Sequence, residues 1–358
     1  MGTLVNKMAK DIILSKNFIK EEVTIGPGRQ ALMIAEAGVL TFGHKEMGFK
    51  FVDEAARIGI KLLKFQCFVA EHVVSHLDQY WLNRLRQRAL GKSDFLEIMN
   101  YGKGKGVICF ASTHNEYDLV ELADAGMPIL KIGSGDSNNY RMIDMALATK
   151  KPVILSLGLL EKEKAIGLLT KYKKSADQLI VMHSVTLYPT PIDSANLVVI
   201  EDFKKLFPEY NFGYSDHVCG YNAALAAVAM LEVSIVEKHL CLPEQRIKPE
   251  YESQDIVTAL IPDEFGQLLQ ISSDMHSATK DFRENKEIFG NRHWASKAIY
   301  ARNKIRKGEI IKPENLTSIR PYRPEEGHIS IERFDEVMGR KAKRDIEPQT
   351  YLKLQDII

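Results

Sequence analysis

Two histidines lie at matching positions near the ends of two apolar segments, GYSDH and SIVEKH, which are separated by an alanine-rich helical run. Residues two apart share a face of a strand, so Ser215 lies beside His217, and Glu237 beside His239. A strand–helix–strand unit makes the two strands parallel neighbours. Two imidazoles and a carboxylate then meet at one sheet edge, which predicts a divalent-metal or proton-transfer site. The alternative is two unrelated histidines, one in the core and one on the surface.

Six further apolar segments precede these two and alternate with helical patterns. Strands are predicted at 32–38, 61–68, 107–113, 129–135, 152–158 and 179–185, and helices at 45–58, 78–90, 94–105, 116–125, 141–149, 161–172, 198–207, 222–231 and 262–279. Eight alternating strands over about 250 residues favour an α/β fold, the closed (β/α)8 TIM barrel. An open doubly wound sheet is less favoured, because no Gly-x-Gly-x-x-Gly follows the first strand.

The chain changes in character after the eighth strand. The pattern predicts a loop over the barrel mouth at 242–254, a charged linker at 280–295, short strands at 297–301 and 308–310, and a short helix near 331–338. The first residues, 1–29, are mixed and predicted to be rich in loops. The predicted domains are therefore a barrel, 1–280, a linker, 281–295, and a small β-rich domain, 296–358.

The composition narrows the class of protein. The net charge is +1, from 48 basic and 47 acidic residues, so nothing indicates binding to nucleic acid or to an anionic membrane. The four cysteines form no Cys-x-x-Cys pair, which is typical of reduced thiols. No apolar run approaches the ~20 residues of a membrane helix, and no signal peptide is recognisable. We therefore expect a cytoplasmic protein.

Nearly every predicted strand ends in a polar residue, on the face where such barrels build their sites. Lysines supply charge and hydroxyls supply short hydrogen bonds, a combination that suits a phosphate or carboxylate. The residues of this kind are Lys64, Thr113, Lys131, Ser134, Ser156 and Ser215. The alternative is that the lysines reach solvent and the hydroxyls bond their own backbone.

Two other functions use the same residue types. Lys64 or Lys131 in an apolar strand could form a Schiff base, as in a class I aldolase. The two histidines argue against this interpretation, because a Schiff-base enzyme needs no metal. The other function is a non-catalytic barrel that only binds a sugar or a partner.

The strand ends also carry an ordered set of short motifs. They are IAEAG (34–38), KFQ (64–66), AST (111–113), KIGSG (131–135), PVILS (152–156), YPTP (188–191), GYSDH and VEKH. Together they resemble the sialic acid (nonulosonic acid) synthase family, and segments at 305–309, 318–321 and 339–342 resemble its C-terminal antifreeze-like (SAF, β-clip) domain. The resemblance covers the chain from about residue 31 to residue 358.

The resemblance implies a metal-assisted condensation of phosphoenolpyruvate with an N-acylated amino-sugar aldehyde, giving a nonulosonic 2-keto-3-deoxy acid and phosphate. His217 and His239 would hold Mn²⁺ or Mg²⁺. Phosphoenolpyruvate would contact Lys64, Thr113, Lys131, Ser134, Ser156, Thr186 and Ser215. The sugar or a water on the metal would be positioned by Glu36, Gln66, Tyr188 and Glu237, and Glu237 or Asp136 would deprotonate the attacking water. Arg320 would reach into the neighbouring subunit's barrel, in a domain-swapped homodimer.

The chain also departs from the family pattern. Leu40–Gly43 replaces Asn-His-Asn-Gly, Asp136 replaces a glutamate, and Thr186 replaces an asparagine. The segment after the eighth strand is longer, and Asp255 aligns with an aspartate there through a gap. Because these changes cluster on the sugar side, we expect phosphoenolpyruvate as the enol partner and an aldehyde other than N-acetylmannosamine.

Overall fold

The computed structural model describes residues 8–15, 18–248, 251–278, 296–321 and 327–358. The chain divides into two compact units, residues 1–279 and 280–358. The predicted linker, 281–295, lies outside the described residues, so the three predicted domain boundaries stay a prediction. Within the described ranges, no helix is long and apolar enough to cross a membrane.

The first unit is an α/β barrel of eight parallel strands, as the alternating pattern predicts. Its strands are β3 (Leu32–Gly38), β4 (Leu62–Gln66), β5 (Ile108–Ser112), β6 (Leu130–Ile132), β7 (Val153–Ser156), β8 (Leu179–Ser184), β9 (Asn211–Asp216) and β10 (Ile235–His239). Their order is β5-β4-β3-β10-β9-β8-β7-β6, so the barrel is nearly closed, with a seam between β5 and β6. A short antiparallel pair, β1 (Ile12–Ile13) and β2 (Thr24–Ile25), precedes them in the segment predicted to be loops.

Helices follow the strands around the barrel. They are α1 (Lys45–Arg57), α2 (Ala70–Val73), α3 (Gln79–Arg86), α4 (Lys92–Lys105), α5 (Glu116–Asp124), α6 (Tyr140–Ala148), α7 (Lys162–Lys171), α8 (Val198–Leu206), α9 (Asn222–Leu231), α10 (Pro243–Ile247), α11 (Gln254–Thr258) and α12 (Pro262–Ala278). The prediction of a loop at 242–254 was wrong in part, because α10 lies inside it. Its proline occupies the first helical position, where no backbone N–H is needed.

Strand register brings the polar side chains of distant segments together. Glu36 on β3 lies opposite Lys64 on β4, and also opposite His239 on β10. Glu237 on β10 lies opposite Ser215 on β9. Parallel strands align their carboxyl ends, and alternate residues share a face. The barrel interior therefore collects these groups at one end.

The residues between these site positions form a buried ion pair on the other face of the same strands. Lys238 Nζ lies 3.1 Å from Asp216 Oδ2, and both side chains are 0% exposed. Lys238 also donates to the Val218 carbonyl, and Tyr214 donates to the second carboxylate oxygen at 3.1 Å. With both charges paired and hydrogen-bonded, the pair joins β9 to β10 through the residues that immediately precede the two histidines in the sequence.

The second unit has its own small apolar core. It contains an antiparallel pair, β11 (Ala298–Ala301) and β12 (Leu316–Ile319), and a short helix, α13 (Phe334–Val337). The strand predicted at 308–310 is absent, since Ile310 makes only an isolated bridge with Lys341. Most pairing in the described part of this unit consists of such single bridges, which leave no strand-length pattern in the sequence.

The packing between β9 and β10 predicts that one methyl group added at Gly213 strongly destabilises the barrel. A Cβ on Gly213 would lie 2.7 Å from the Ile235 carbonyl oxygen and 2.6 Å from Ile235 Cγ2. Gly213→Ala should therefore destabilise the barrel by about 1–3 kcal/mol and lower its melting temperature in a thermal scan. The control is Gly104→Ala in α4, where a Cβ meets nothing within 4 Å. It should leave the melting temperature equal or higher, and an unchanged value for Gly213→Ala would contradict this packing.

Candidate active site

A buried carboxylate shared by two lysines forms the base of the site. Glu237 Oε1 lies 3.4 Å from Lys64 Nζ and 3.7 Å from Lys131 Nζ. Ser215 donates to the same oxygen at 3.2 Å. Lys64 also lies 2.7 Å from Glu36 Oε2. Four strands thus contribute one connected group of charges, all buried inside the barrel.

Burial and mutual attraction set the protonation of this group. Burial raises the pKa of Glu36 despite the attraction of Lys64. Burial alone would also raise the pKa of Glu237, but Lys131 and Lys64 lower it well below its ordinary value. Burial lowers the pKa of Lys131. Glu36 is therefore the carboxyl that is protonated most easily, and negative charge from a ligand would stabilise Lys131 in its charged form.

Three hydroxyl groups, those of Ser134, Ser156 and Thr186, lie at or just after the ends of β6, β7 and β8. Lys131 donates to Ser156 Oγ at 2.8 Å, and the Gly158 N–H donates to Ser134 Oγ at 3.1 Å. A Cβ built on Gly158 would lie 2.7 Å from Ser134 Oγ and 2.9 Å from Thr186 Oγ1. The absence of a side chain at Gly158 therefore lets two predicted ligand hydroxyls approach the same point.

His217 is held in one neutral form by its neighbours. Its Nδ1 lies 2.8 Å from the Val185 carbonyl and therefore carries the proton that this oxygen accepts. Nε2 then holds a lone pair and accepts from the Tyr188 hydroxyl at 2.8 Å. Burial, followed by the nearby His239, lowers the pKa of His217 to about 4. The ring is thus neutral near pH 7, and Nε2 is the atom that could bind a metal ion in place of the Tyr188 hydroxyl.

His239 faces the same space from the next strand. The two imidazole centroids are 5.6 Å apart, and His239 Nε2 lies 4.0 Å from Asp255 Oδ1 on α11. Burial, followed by the charge of Lys64, lowers the pKa of His239 to about 3, so this ring is neutral as well. The residue that the sequence aligned only through a gap, Asp255, is therefore brought to the predicted site.

The donor set fits a divalent ion that keeps open positions. Two neutral imidazoles suit Mn²⁺ and related ions. Glu237 Oε2 is buried without a hydrogen-bond partner in the described part of the chain, so it can accept from a bound water. Among the described residues, no three His, Cys, Asp or Glu side chains are grouped closely enough to hold a metal ion by themselves. The protein would thus supply His217 and His239, and water or substrate the remaining ligands.

The other predicted residues fall into three places. Thr113 is buried, and its hydroxyl donates to the Asn115 carbonyl at 2.8 Å. Gln66 and Asp136 both contact His114, which the sequence interpretation missed although it lies only two residues after the end of β5. Arg320 is exposed on the second unit. Which of these residues bind substrate stays a prediction.

Ser184 was also missed by the sequence interpretation. Its hydroxyl donates to the Ser215 carbonyl at 3.2 Å and lies 3.5 Å from His217 Nδ1. From β8, Ser184 therefore contacts both His217 and the backbone of β9. Its position at the end of a predicted strand was the available signal.

The crowding at Gly158 predicts a loss of anion binding when a methyl group is added there. Gly158→Ala must displace Ser134 and Thr186, so phosphoenolpyruvate should bind about tenfold more weakly or worse, which corresponds to ~1.4 kcal/mol. Isothermal titration calorimetry measures this affinity. Gly167→Ala on α7, where a Cβ meets nothing within 4 Å, is the control and should bind normally. Equal affinities of the two variants would contradict the role of these hydroxyls.

Comparisons with curated proteins find relatives along almost the whole chain. The chain is 29% identical to the N,N'-diacetyllegionaminic acid synthase of Campylobacter jejuni, over 91% of this chain and 99% of the relative. It is 28% identical to a pseudaminic acid synthase of C. jejuni, over 92% and 97% of the two chains. The human N-acetylneuraminate-9-phosphate synthase is 24% identical, over 83% and 86%.

Solved structures and family profiles agree with these relatives. The N-acetylneuraminic acid synthetase of Leptospira borgpetersenii superposes with a TM-score of 0.70 at 26% identity, covering 80% of this chain and 98% of that one. A truncated 3-deoxy-D-arabino-heptulosonate 7-phosphate synthase of Thermotoga maritima, at 17% identity and a TM-score of 0.58 over 76% of this chain and 93% of that one, shares the fold. The SAF domain profile matches residues 296–358. The profile of the NeuB family matches residues 51–284, and the chain belongs to that family.

Proposed function

We propose that this protein condenses phosphoenolpyruvate with the aldehyde of an N-acylated or related amino sugar, giving a nonulosonic acid and phosphate. The observation that carries the proposal is the pair of buried lysines that share Glu237, directly beside the two neutral histidines. The legionaminic and pseudaminic acid synthases among the relatives support this reaction class. In this proposal the end of the barrel has two sides. The lysine side, with Lys64 and Lys131, binds the enol partner, and the histidine side, with His217 and His239, binds the sugar.

The lysine side would hold the two anionic groups of phosphoenolpyruvate. Lys131 with Ser156, and Ser134 with Thr186, offer charge and hydroxyl donors around Gly158. Such groups are already in position before the substrate arrives, so they can stabilise charge in the transition state without reorganising. Lys64 is held by Glu36 and Glu237, so it supplies positive charge from a fixed position.

The histidine side would receive the sugar aldehyde. His217 and His239 would hold a divalent ion, which polarises a carbonyl as a Lewis acid when bound. Tyr188 lies against both rings, with centroids 4.1 Å from His217 and 6.0 Å from His239. Its side chain covers the imidazoles and would exclude water from the reacting carbonyl. Asp255 and the segment 40–43 would contact the rest of the sugar.

The reaction would proceed by attack of C3 of phosphoenolpyruvate on the aldehyde carbon. C2 then becomes an oxocarbenium-like centre, to which water adds. Phosphate leaves by cleavage of the bond between C2 and oxygen, and a 2-keto-3-deoxy acid remains. Buried Glu237 would stabilise the positive centre at C2 by its negative charge.

Phosphate release tests the reaction and its metal together. With Mn²⁺ and a panel of N-acylated and deoxy hexoses, phosphate should appear from phosphoenolpyruvate only with a matching sugar. Chelator should reduce the rate to background, because two imidazoles alone cannot polarise the aldehyde. Release at an equal rate with N-acetylmannosamine and every other sugar would contradict the expected change in sugar preference.

A Schiff-base aldolase is the second candidate function. It is favoured by one observation, namely that burial lowers the pKa of Lys131 and so makes a neutral amine more accessible. Borohydride would then trap a keto substrate on a lysine, in a reaction that chelator does not affect. Chelator-sensitive phosphate release without trapping would exclude it.

We further propose that Arg320 completes the site of a neighbouring subunit in a homodimer. Arg320→Ala and His217→Ala should each be nearly inactive alone. Mixing the two chains by co-expression should restore about one quarter of the wild-type activity, because a random mixture of dimers regains one working site in each heterodimer. Arg306→Ala, which changes another exposed arginine of the second unit, is the control and should stay active. No recovery in the mixture would show that Arg320 does not act between subunits.

A further inference from the structure

The seam of the barrel carries a histidine–aspartate pair. β5 and β6 are the two ends of the strand order, and no ladder hydrogen bonds join them across the described residues. His114 follows β5, and Asp136 ends a short 3-10 turn after β6. His114 Nδ1 lies 2.9 Å from Asp136 Oδ2. Among the barrel strands that the structure describes, a side-chain bond thus spans the pair of neighbours that lacks backbone bonding.

The second nitrogen of His114 points toward the anion-binding side. Nε2 lies 3.4 Å from the side-chain oxygen of Gln66, which is near the upper limit for a hydrogen bond. Gln66 shares a face of β4 with Lys64, two residues earlier. His114 and Asp136 remain 26% and 18% exposed, unlike the fully buried charges below them. A small ligand can therefore reach Nε2 by displacing a weak contact.

Local structure fixes the direction of this ring. His114 has a φ of 60°, in the left-handed region that side chains other than glycine rarely adopt. Thr113 bonds the Asn115 carbonyl on one side, and Asn115 caps α5 by accepting from Tyr117 N at 2.9 Å on the other. The ring is thus held between two tight local contacts, in an orientation that brings Nδ1 to Asp136.

With Nδ1–H donated to Asp136, Nε2 holds a lone pair and can accept a proton. This is the arrangement by which a carboxylate orients a histidine that acts as a general base. The structure has the side-chain oxygen of Gln66 facing Nε2, and a half-turn of this amide would bring its nitrogen there as a donor to the lone pair until a water replaces it.

We propose that His114 is a catalytic residue, the base that takes the proton from the water attacking C2, and that Asp136 is its positioning residue. The proposal rests on the synthase function proposed above and refines it. The water oxygen bonds to C2, and one of its protons moves to His114 Nε2. The other proton leaves with phosphate when the bond between C2 and the phosphate oxygen breaks. His114 returns its proton to solvent, and the alkoxide from the aldehyde gains one, so protons balance.

The His114–Asp136 hydrogen bond is not needed merely to hold the two strand–helix units together at the seam. Glu116 on α5 already contacts two residues on or beside α6, in an ion pair with Arg141 Nε at 3.4 Å and as acceptor from Asn139 Nδ2 at 3.4 Å. Arg141 also contacts the Tyr117 hydroxyl at 2.5 Å. These contacts join the same two strand–helix units through residues other than His114 and Asp136. The His114–Asp136 bond can therefore serve chemistry rather than closure.

The test separates the role of His114 as a base from the role of its hydrogen bond to Asp136. His114→Asn keeps a donor for Asp136 but cannot take up a proton, and His114→Ala leaves a cavity for added imidazole. Both should lower kcat for phosphate release by at least about 100-fold, with KM for phosphoenolpyruvate and the melting temperature nearly unchanged. Imidazole should restore part of the activity of His114→Ala and none of that of His114→Asn. Asp136→Asn should lower kcat without rescue.

The control is a second histidine–aspartate pair on the same chain. His72 Nδ1 lies 2.8 Å from Asp118 Oδ2, but the ring is exposed on α2. His72→Ala should keep wild-type activity. Two results would overturn the inference and leave the synthase function standing. One is a His114→Asn variant whose kcat is within twofold of wild type. The other is a His114→Ala variant whose melting temperature falls and whose activity does not recover with imidazole. A wild-type protein that releases phosphate with no sugar would overturn both.

Discussion

The site depends on one carboxylate that is buried between two lysines. Glu237 would be unstable alone inside the barrel, as would either Lys64 or Lys131, because an unpaired buried charge loses its hydration without compensation. Because burial also favours the neutral form of Glu36, the group as a whole carries excess positive charge, next to the Ser156 hydroxyl. An anionic ligand completes the balance. In the proposed function, binding of the enol partner would follow from the same electrostatics that let the barrel fold with charges in its centre.

Much of this arrangement could be predicted from the sequence because the geometry of parallel strands follows two simple rules. A period of two places Lys64 with Gln66, and Glu237 with His239, on one face, and parallel pairing aligns the ends of segments far apart in the chain. The barrel and the assembly of its charged base follow from those two rules. The helix and strand bounds agree closely wherever apolar runs are long, as at 32–38 and 222–231.

The remaining features depend on contacts that no period encodes. Asp255 reaches His239 from α11, and α10 occupies a segment whose polar composition predicts a loop. The contact between His114 and Asp136 spans the seam between β5 and β6, where no ladder register exists to predict it. Single bridges in the second unit leave no alternation to find, so β12 was missed and a strand at 308–310 was wrongly predicted.

The ion pair of Asp216 and Lys238 constrains how such a site can change over evolution. Removing either partner leaves an uncompensated buried charge, at a cost of about 3–5 kcal/mol, whereas replacing both with apolar residues can be neutral. A single substitution at either position therefore leads through a poorly folded intermediate. Because these residues alternate with the histidines on the same strands, the histidine strands resist gradual change. New sugar preferences can arise more easily at partly exposed positions outside this group of charges, such as Phe42, where one side chain can change without leaving a buried charge unpaired.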